Sequence, residues 1–254
     1  MKTLISGGLI SVIFMLVACG GMPTKSMNDT AYGLLRSVPV EVIYIEPQYP
    51  LQLDPPYSVS AGQAVGMMFG AIGGAIAGAM DGGPGQKAID EAQKALEPYG
   101  STLDSLNLRE SLFQHIQSKL KSVPGLAAAT FTRLLYGTTI PSPHDLALHS
   151  SAKEVIIVSP DYSLFPDGSH LGLGVAFKVF VKPHPDQAVE YDSYNAWASV
   201  PSSLKPADKS TLDAYLKQWF ANNGAELTAA VGTVTKTADD RLDIYFHMPV
   251  TVGH

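Results

Sequence analysis

Leu171, Leu173, Val175, Phe177, Val179 and Val181 occupy every second position of one unbroken run. A period of two puts all six on one face of a β-strand, and a face that apolar must be covered by another layer. The chain is therefore expected to build a sheet with a buried side. Two further runs flank this strand. Glu154–Phe165 reaches it through the turn Pro166-Asp167-Gly168-Ser169, and Val189–Val200 leaves it through Pro183–Gln187. Short connections rich in proline, glycine and aspartate join antiparallel neighbours. The three runs read as a meander at the centre of the sheet, with Tyr191, Tyr194 and Trp197 as large packing residues.

The remaining elements are placed around that sheet. Val38–Ile45 is a β-branched strand, ended by Pro47, Pro50, Pro55 and Pro56. Between Leu103 and Val123, the residues Leu108, Leu112, Phe113, Ile116 and Leu120 recur at helical spacing, and Ser122–Gly125 stops the run. Leu126–Tyr136 reads as a strand, and Gly137–Ser151, with Pro141 and Pro143, as a loop. Two helices follow, Thr211–Ala221 and Ala225–Thr237, separated by Asn222-Asn223-Gly224, and a last strand is expected over Leu242–Val250. Tyr194, Trp197, Tyr215 and Trp219 are expected between sheet and helices. The fold class is α+β, a mostly antiparallel sheet with helices over one face.

A different periodicity governs the segment before the helices. Gly62, Gly66, Gly70, Gly74, Gly78 and Gly82 recur at intervals of four, and residues 64–80 are all glycine or apolar. On a helix this spacing makes a stripe without side chains, along which a second backbone can approach closely. Four residues exceed the 3.6 of one turn, so the stripe drifts around the axis and favours a right-handed crossing. Each interior glycine costs about 1 kcal/mol relative to alanine, so such a helix needs a packing partner. Bilayer insertion, association between copies and a tight hairpin with Gln86–Leu96 all satisfy that need. The segment resembles the glycine-zipper module of some lipoproteins. It lacks the second apolar span of that module, which leaves the topology open.

The first residues carry an export signal. Lys2 is followed by an apolar run, Leu4–Leu16, of secretory-signal length and too short for a membrane-spanning helix. The run ends in Leu16-Val17-Ala18-Cys19, which resembles the lipobox of bacterial lipoproteins. That resemblance implies removal of residues 1–18, a diacylglycerol on the Cys19 thiol and an acylated new N-terminus. Two or three acyl chains anchor stably where one does not. Gly20, where sorted lipoproteins retained at the inner membrane carry aspartate, implies the outer membrane. Cys19 is the only cysteine, so no intrachain disulfide or thiolate zinc site can form. Residues 19–37, led by the small and polar stretch Gly20–Thr30, read as a lipidated tether, and 38–254 as the α+β body containing the zipper helix 62–82. The order of elements is distantly similar to periplasmic domains of envelope-assembly lipoproteins, a likeness of fold only.

Composition narrows the partners. The formal charge is −6, charged residues make up 16% of the chain, and no basic stripe is present, which argues against nucleic acid. The expected partners are the membrane, through Cys19, and protein, through another component or a second copy. Catalytic signals are weak throughout. His144 and His149 flank Asp145 without the glutamate of a HExxH motif, so no metal site is expected. Ser-x-x-Lys occurs at Ser118, Ser150 and Ser202 without the motifs that accompany it in penicillin-interacting enzymes. Asp161, Asp167, Asp239 and Asp240 read as solvated turn acids. The expectation is a non-enzymatic envelope component without a cofactor, against the alternatives of a zipper-built oligomer or pore and a cell-wall hydrolase.

Overall fold

The computed structural model describes residues 25–55, 84–135, 141–204 and 211–248. Cys19, the leader and all six zipper glycines lie outside the described residues. The body is α+β, as the alternation requires. In chain order it comprises α1 (Asp29–Leu34), β1 (Val40–Ile45), β2 (Gln52–Leu53), α2 (Pro84–Gln93), a 3₁₀ turn (Lys94–Tyr99), α3 (Gly100–Leu106), α4 (Leu108–Lys121), β3 (Thr130–Leu134), α5 (Pro143–His149), β4 (Glu154–Leu164), β5 (His170–His184), β6 (Gln187–Pro201) and α6 (Leu212–Tyr245).

The sheet order is β3-β1-β4-β5-β6, with β2 also on β4. The long strands β4, β5 and β6 pair antiparallel. β1 runs parallel between β3 and β4, so the centre lies at β4 and β6 is an edge, one place away from the expected arrangement. β1 pairs β4 over Glu154–Val158 and β2 pairs it at Ser163 and Leu164. Pro160 falls in the gap between them, where a residue without an N–H removes no ladder bond on that side.

One face of the sheet carries the main core. Leu171, Leu173, Val175, Phe177 and Val179 of β5 are buried beneath Leu112, Ile116 and Leu120 of α4 and the apolar stripe of α6. Asn107, at φ 48°, separates α3 from α4 where the apolar spacing alone suggests one continuous helix. The break at Asn222-Asn223-Gly224 is present, all three residues having positive φ.

Three expectations are corrected. The strand expected over Leu242–Val250 is absent from its described part, 242–248, because α6 continues to Tyr245. Leu227, Ala230, Val234, Ala238, Leu242 and Tyr245 form one buried stripe at spacings of three and four, and Asp239 and Asp240 lie within this helix rather than beside a turn. Gly137–Ser151 is not all loop. Ser142 caps α5 by accepting from the Asp145 N–H, and Pro143 takes the first helical position, where its missing N–H costs nothing. Ala147 of α5 packs on Val155, Ile157 and Phe180, covering part of the second sheet face. Finally, the stretch assigned to a tether is partly body. Lys25 pairs with Asp192, the Met27 N–H donates to Tyr245 O at 2.8 Å, and Met27, Ala31 and Leu35 are buried.

Candidate functional site

Of the residues singled out in the sequence, Cys19 and the zipper glycines fall outside the described part. His144 and Asp145 sit on α5 3.9 Å apart, with side chains 57% and 50% exposed. His149 closes back onto the Asp145 carbonyl of its own helix. Ser118 is in α4, while Ser150 Oγ bonds Glu41 and Ser202 Oγ donates to Glu226 at 2.7 Å. Asp239 pairs with His115 at 2.9 Å. Asp167 is a turn acid as expected, held below the usual carboxylate range by bonds from Ser169 that outweigh its burial. Among the described residues, no group of three or more His, Cys, Asp and Glu side chains is placed to hold a metal ion.

Asp161 departs from its expected role. It lies inside β4, not beside a turn, and β-sheet register gathers polar and small residues around it. The row Asp161–Gly174–Trp197 crosses β4, β5 and β6, flanked by Ser159–Ala176–Asn195 and Ser163–Gly172–Ser199. Alternation turns all nine away from the main core, toward the second face beyond the part that α5 covers. β2 adds to this face. Leu53 pairs with Leu164 on the core side, which puts Gln52 and Asp54 on the side of Ser163.

The glycines explain the shape. A methyl group on Gly172 would lie 2.3 Å from Trp197 Cη2 and 2.5 Å from its Cζ2, and one on Gly174 would lie 3.0 Å from Asp161 Oδ1 and 3.3 Å from Trp197 Cε3. The indole therefore lies against the β5 backbone, with Asp161 reaching in from the other side. Trp197 does not pack between sheet and helices as expected, whereas Tyr194, Tyr215 and Trp219 do. Phe165 stacks between His170, at 4.9 Å, and Trp197, at 6.5 Å, extending an aromatic row along the face.

Two carboxylates share this environment. Burial, and then the charge of Asp54, raise Asp161 to about 7. Burial raises Asp54 to about 6, opposed by hydrogen bonds from Gln52 and Ser163. The Gln52 Nε2–H donates to Asp54 Oδ1 at 3.2 Å. Asp161 Oδ1 and both polar atoms of the Asn195 amide are buried without a hydrogen-bond partner. Unpaired polar atoms are exceptions in folded proteins and point to strain, function or a bound group. Near neutral pH these carboxyls can still hold a proton. A signal was present in the sequence: Ser159, Asp161 and Ser163 alternate with Val158, Tyr162 and Leu164, as Gly172 and Gly174 do with Leu171, Leu173 and Val175.

Comparison with known proteins assigns no family. No family model matches the chain, and no curated protein matches it. Among solved structures it is similar to the hypothetical protein CT253 from Chlamydia trachomatis. That likeness has 11% identity and a TM-score of 0.31, covering 82% of this chain and 98% of the other. At that score it supports no argument about fold or function.

Proposed function

We propose that the chain is a non-enzymatic lipoprotein of the bacterial envelope, an interaction or assembly component carried at the periplasmic side of the outer membrane by lipid on Cys19. The observation that carries this reading is Leu16-Val17-Ala18-Cys19 at the end of an apolar export run, in a chain with no other cysteine. The docking of Lys25 and Met27 onto the body supports a close attachment. Six residue steps from Cys19 to Lys25 reach at most about 20 Å, so an anchored body stays near the bilayer. Replacing Cys19 with alanine is expected to abolish incorporation of labelled palmitate and move the protein from the membrane to the soluble fraction. Label retained in that variant, or membrane retention without label, would contradict Cys19 as the anchor.

A second reading rests on the six glycines at intervals of four, Gly62 to Gly82. On this reading the stripe joins copies of the chain into an oligomer. Crosslinking in detergent is expected to give ladders that Gly70→Leu with Gly74→Leu removes. A protein that stays monomeric across concentration, with and without detergent, would exclude this reading.

A further inference from the structure

We propose that residues 56–83, which carry the glycine stripe, pack onto the second sheet face of their own chain and cover it beyond α5. This inference does not rest on the lipid anchor. It competes with the reading in which the stripe joins copies, and the experiment below separates the two.

The first argument is burial. The apolar cluster around α5 includes Ile157 of β4 and Phe180 of β5 and goes no further toward Asp161 and Gly174. The next row, Ser159–Ala176–Asn195, is nevertheless buried, with Ser159 1% and Ala176 6% exposed. Ala176 belongs to neither apolar cluster of the described residues. The Trp197 ring runs from Gly174 toward Gly172, away from this row, and Asp54 approaches only Ser163. Asp161 Oδ1 and both polar atoms of the Asn195 amide are buried on the same face. A sheet face is shielded in this way when another layer lies on it.

The second argument is where the chain leaves and returns. The Asp54 N–H donates to Leu164 O at 2.9 Å, and its side chain lies on the Ser163 side of the sheet. The described chain stops one residue later, at Pro55, and resumes at Pro84, the first residue of α2. α2 is tied back to β2 through the Gln93 that ends it, whose Nε2–H donates to Leu51 O at 2.9 Å while its Oε1 accepts the Leu53 N–H. Residues 56–83 thus set out from one border of the face and return to the same strand. Half of that excursion, wound as helix, spans about 20 Å. The distance across β4, β5 and β6 is about 10 Å. The other internal stretches outside the described residues, 136–140 and 205–210, are too short to add a layer.

The third argument is shape. Gly172, Gly174 and Ala176 on β5, with Ser159, Ser163 and Ser199 beside them, leave a shallow face that a second backbone can approach closely. The stripe from Gly62 to Gly82 is the matching surface. No residue from 56 to 80 is charged, so no charge is desolvated when the segment is buried there.

Thiol chemistry on the full chain carrying Cys19→Ala, which leaves no other cysteine, tests this. Ser159→Cys is expected to react with a small maleimide at least about tenfold more slowly than Ser151→Cys, at an exposed position ahead of β4. Oxidation should join Ser159→Cys to a second cysteine, introduced in turn at positions 65–77, and at some of these positions the product should be a single crosslinked chain. Gly70→Leu with Gly74→Leu should bring the Ser159→Cys rate close to that of Ser151→Cys. Should the leucine variant fold poorly, the crosslinks within one chain decide. The proposal is overturned if Ser159→Cys reacts as fast as Ser151→Cys, or if crosslinks form only between chains, which would assign the stripe to a second copy. It is also overturned if Ser159→Cys stays protected in the leucine variant and no crosslink forms within a chain, which would assign the cover to another segment.

Discussion

Replacement of Trp219 with alanine is expected to lower the unfolding free energy by about 4–5 kcal/mol, of the same order as the whole stability of many domains. Trp219 is fully buried at the junction of α6 with the sheet, and its Nε1–H donates to Gly168 O at 2.7 Å in the turn between β4 and β5. Truncation of a buried tryptophan typically costs about 3–5 kcal/mol, and stranding the carbonyl adds about 1 kcal/mol. Gly168, at φ 75°, meets Leu212 and Tyr215 of α6 closely enough that a side chain there would collide with them. The indole thus joins a turn that cannot bulge to a helix that cannot withdraw. Urea denaturation measures the loss. Tyr191→Ala, at a position 45% exposed, should leave the midpoint nearly unchanged. A Trp219→Ala loss below about 2 kcal/mol would show that α6 is held to the sheet by other contacts.

Glu154→Gln is expected to stabilise the protein above neutral pH and to flatten its stability profile there. Glu154 is 0% exposed on the core face, with neither oxygen hydrogen-bonded. Burial raises it from 4.5 to about 8. Nearby Tyr245 is pushed up by burial and then by the charges of Asp192, Tyr194 and Glu154, and its hydroxyl is also without a partner. Asp192 is held by Lys25 and accepts from the Asn28 N–H at 2.8 Å, so that acid is paired and Glu154 is not.

The folded state keeps the Glu154 proton over a range where the unfolded chain has released it. Its contribution to stability is therefore fully present below about pH 4.5 and is lost as pH rises to about 8. At about 1.4 kcal/mol per pH unit this amounts to a few kcal/mol. Asp54 and Asp161 act in the same direction but finish near pH 6 and 7, so the decline from pH 7 to 8.5 belongs chiefly to Glu154. Asp145, Asp167 and Glu226, held low by their hydrogen bonds, withdraw stability only as pH falls below the ordinary carboxylate range. Urea midpoints at pH 5, 7 and 8.5 should fall for the wild type and level off above pH 7 for Glu154→Gln. Parallel declines in the two proteins would place the titrating group elsewhere.

The fold was most legible where one period ran long enough to exclude the other. The alternation from Leu171 to Val181 defined β5, its buried face and its two antiparallel neighbours. Leu108, Leu112, Ile116 and Leu120 defined α4. Legibility failed where short segments fitted both periods. Leu242, Ile244 and Phe246 alternate like a strand, but Leu242 also completes the helical stripe that begins at Leu227. Pro141 and Pro143 resemble loop residues until Ser142 is recognised as a helix cap. The insertion of β1 between β3 and β4 is a non-local pairing for which local pattern holds no signal.

The candidate site was hidden for a related reason. Closeness in sequence to a turn says little about Asp161, whose surroundings come from Gly174 and Trp197 across two strand pairings. Trp197 reads with the core aromatics because spacing does not say which face of β6 is buried. The two glycines under its ring were the clue, since a strand gives up side chains where another group approaches its backbone.

The reading of this chain as a lipid-anchored envelope component turns on the chemistry of one residue. Its most direct test is the intact mass of the protein extracted from bacterial envelopes, with fragmentation of the N-terminal peptide. The account predicts a chain beginning at Cys19, with a diacylglycerol on the thiol and an acyl chain on the new amine. A chain that begins elsewhere, or carries an unmodified Cys19 thiol, would contradict it.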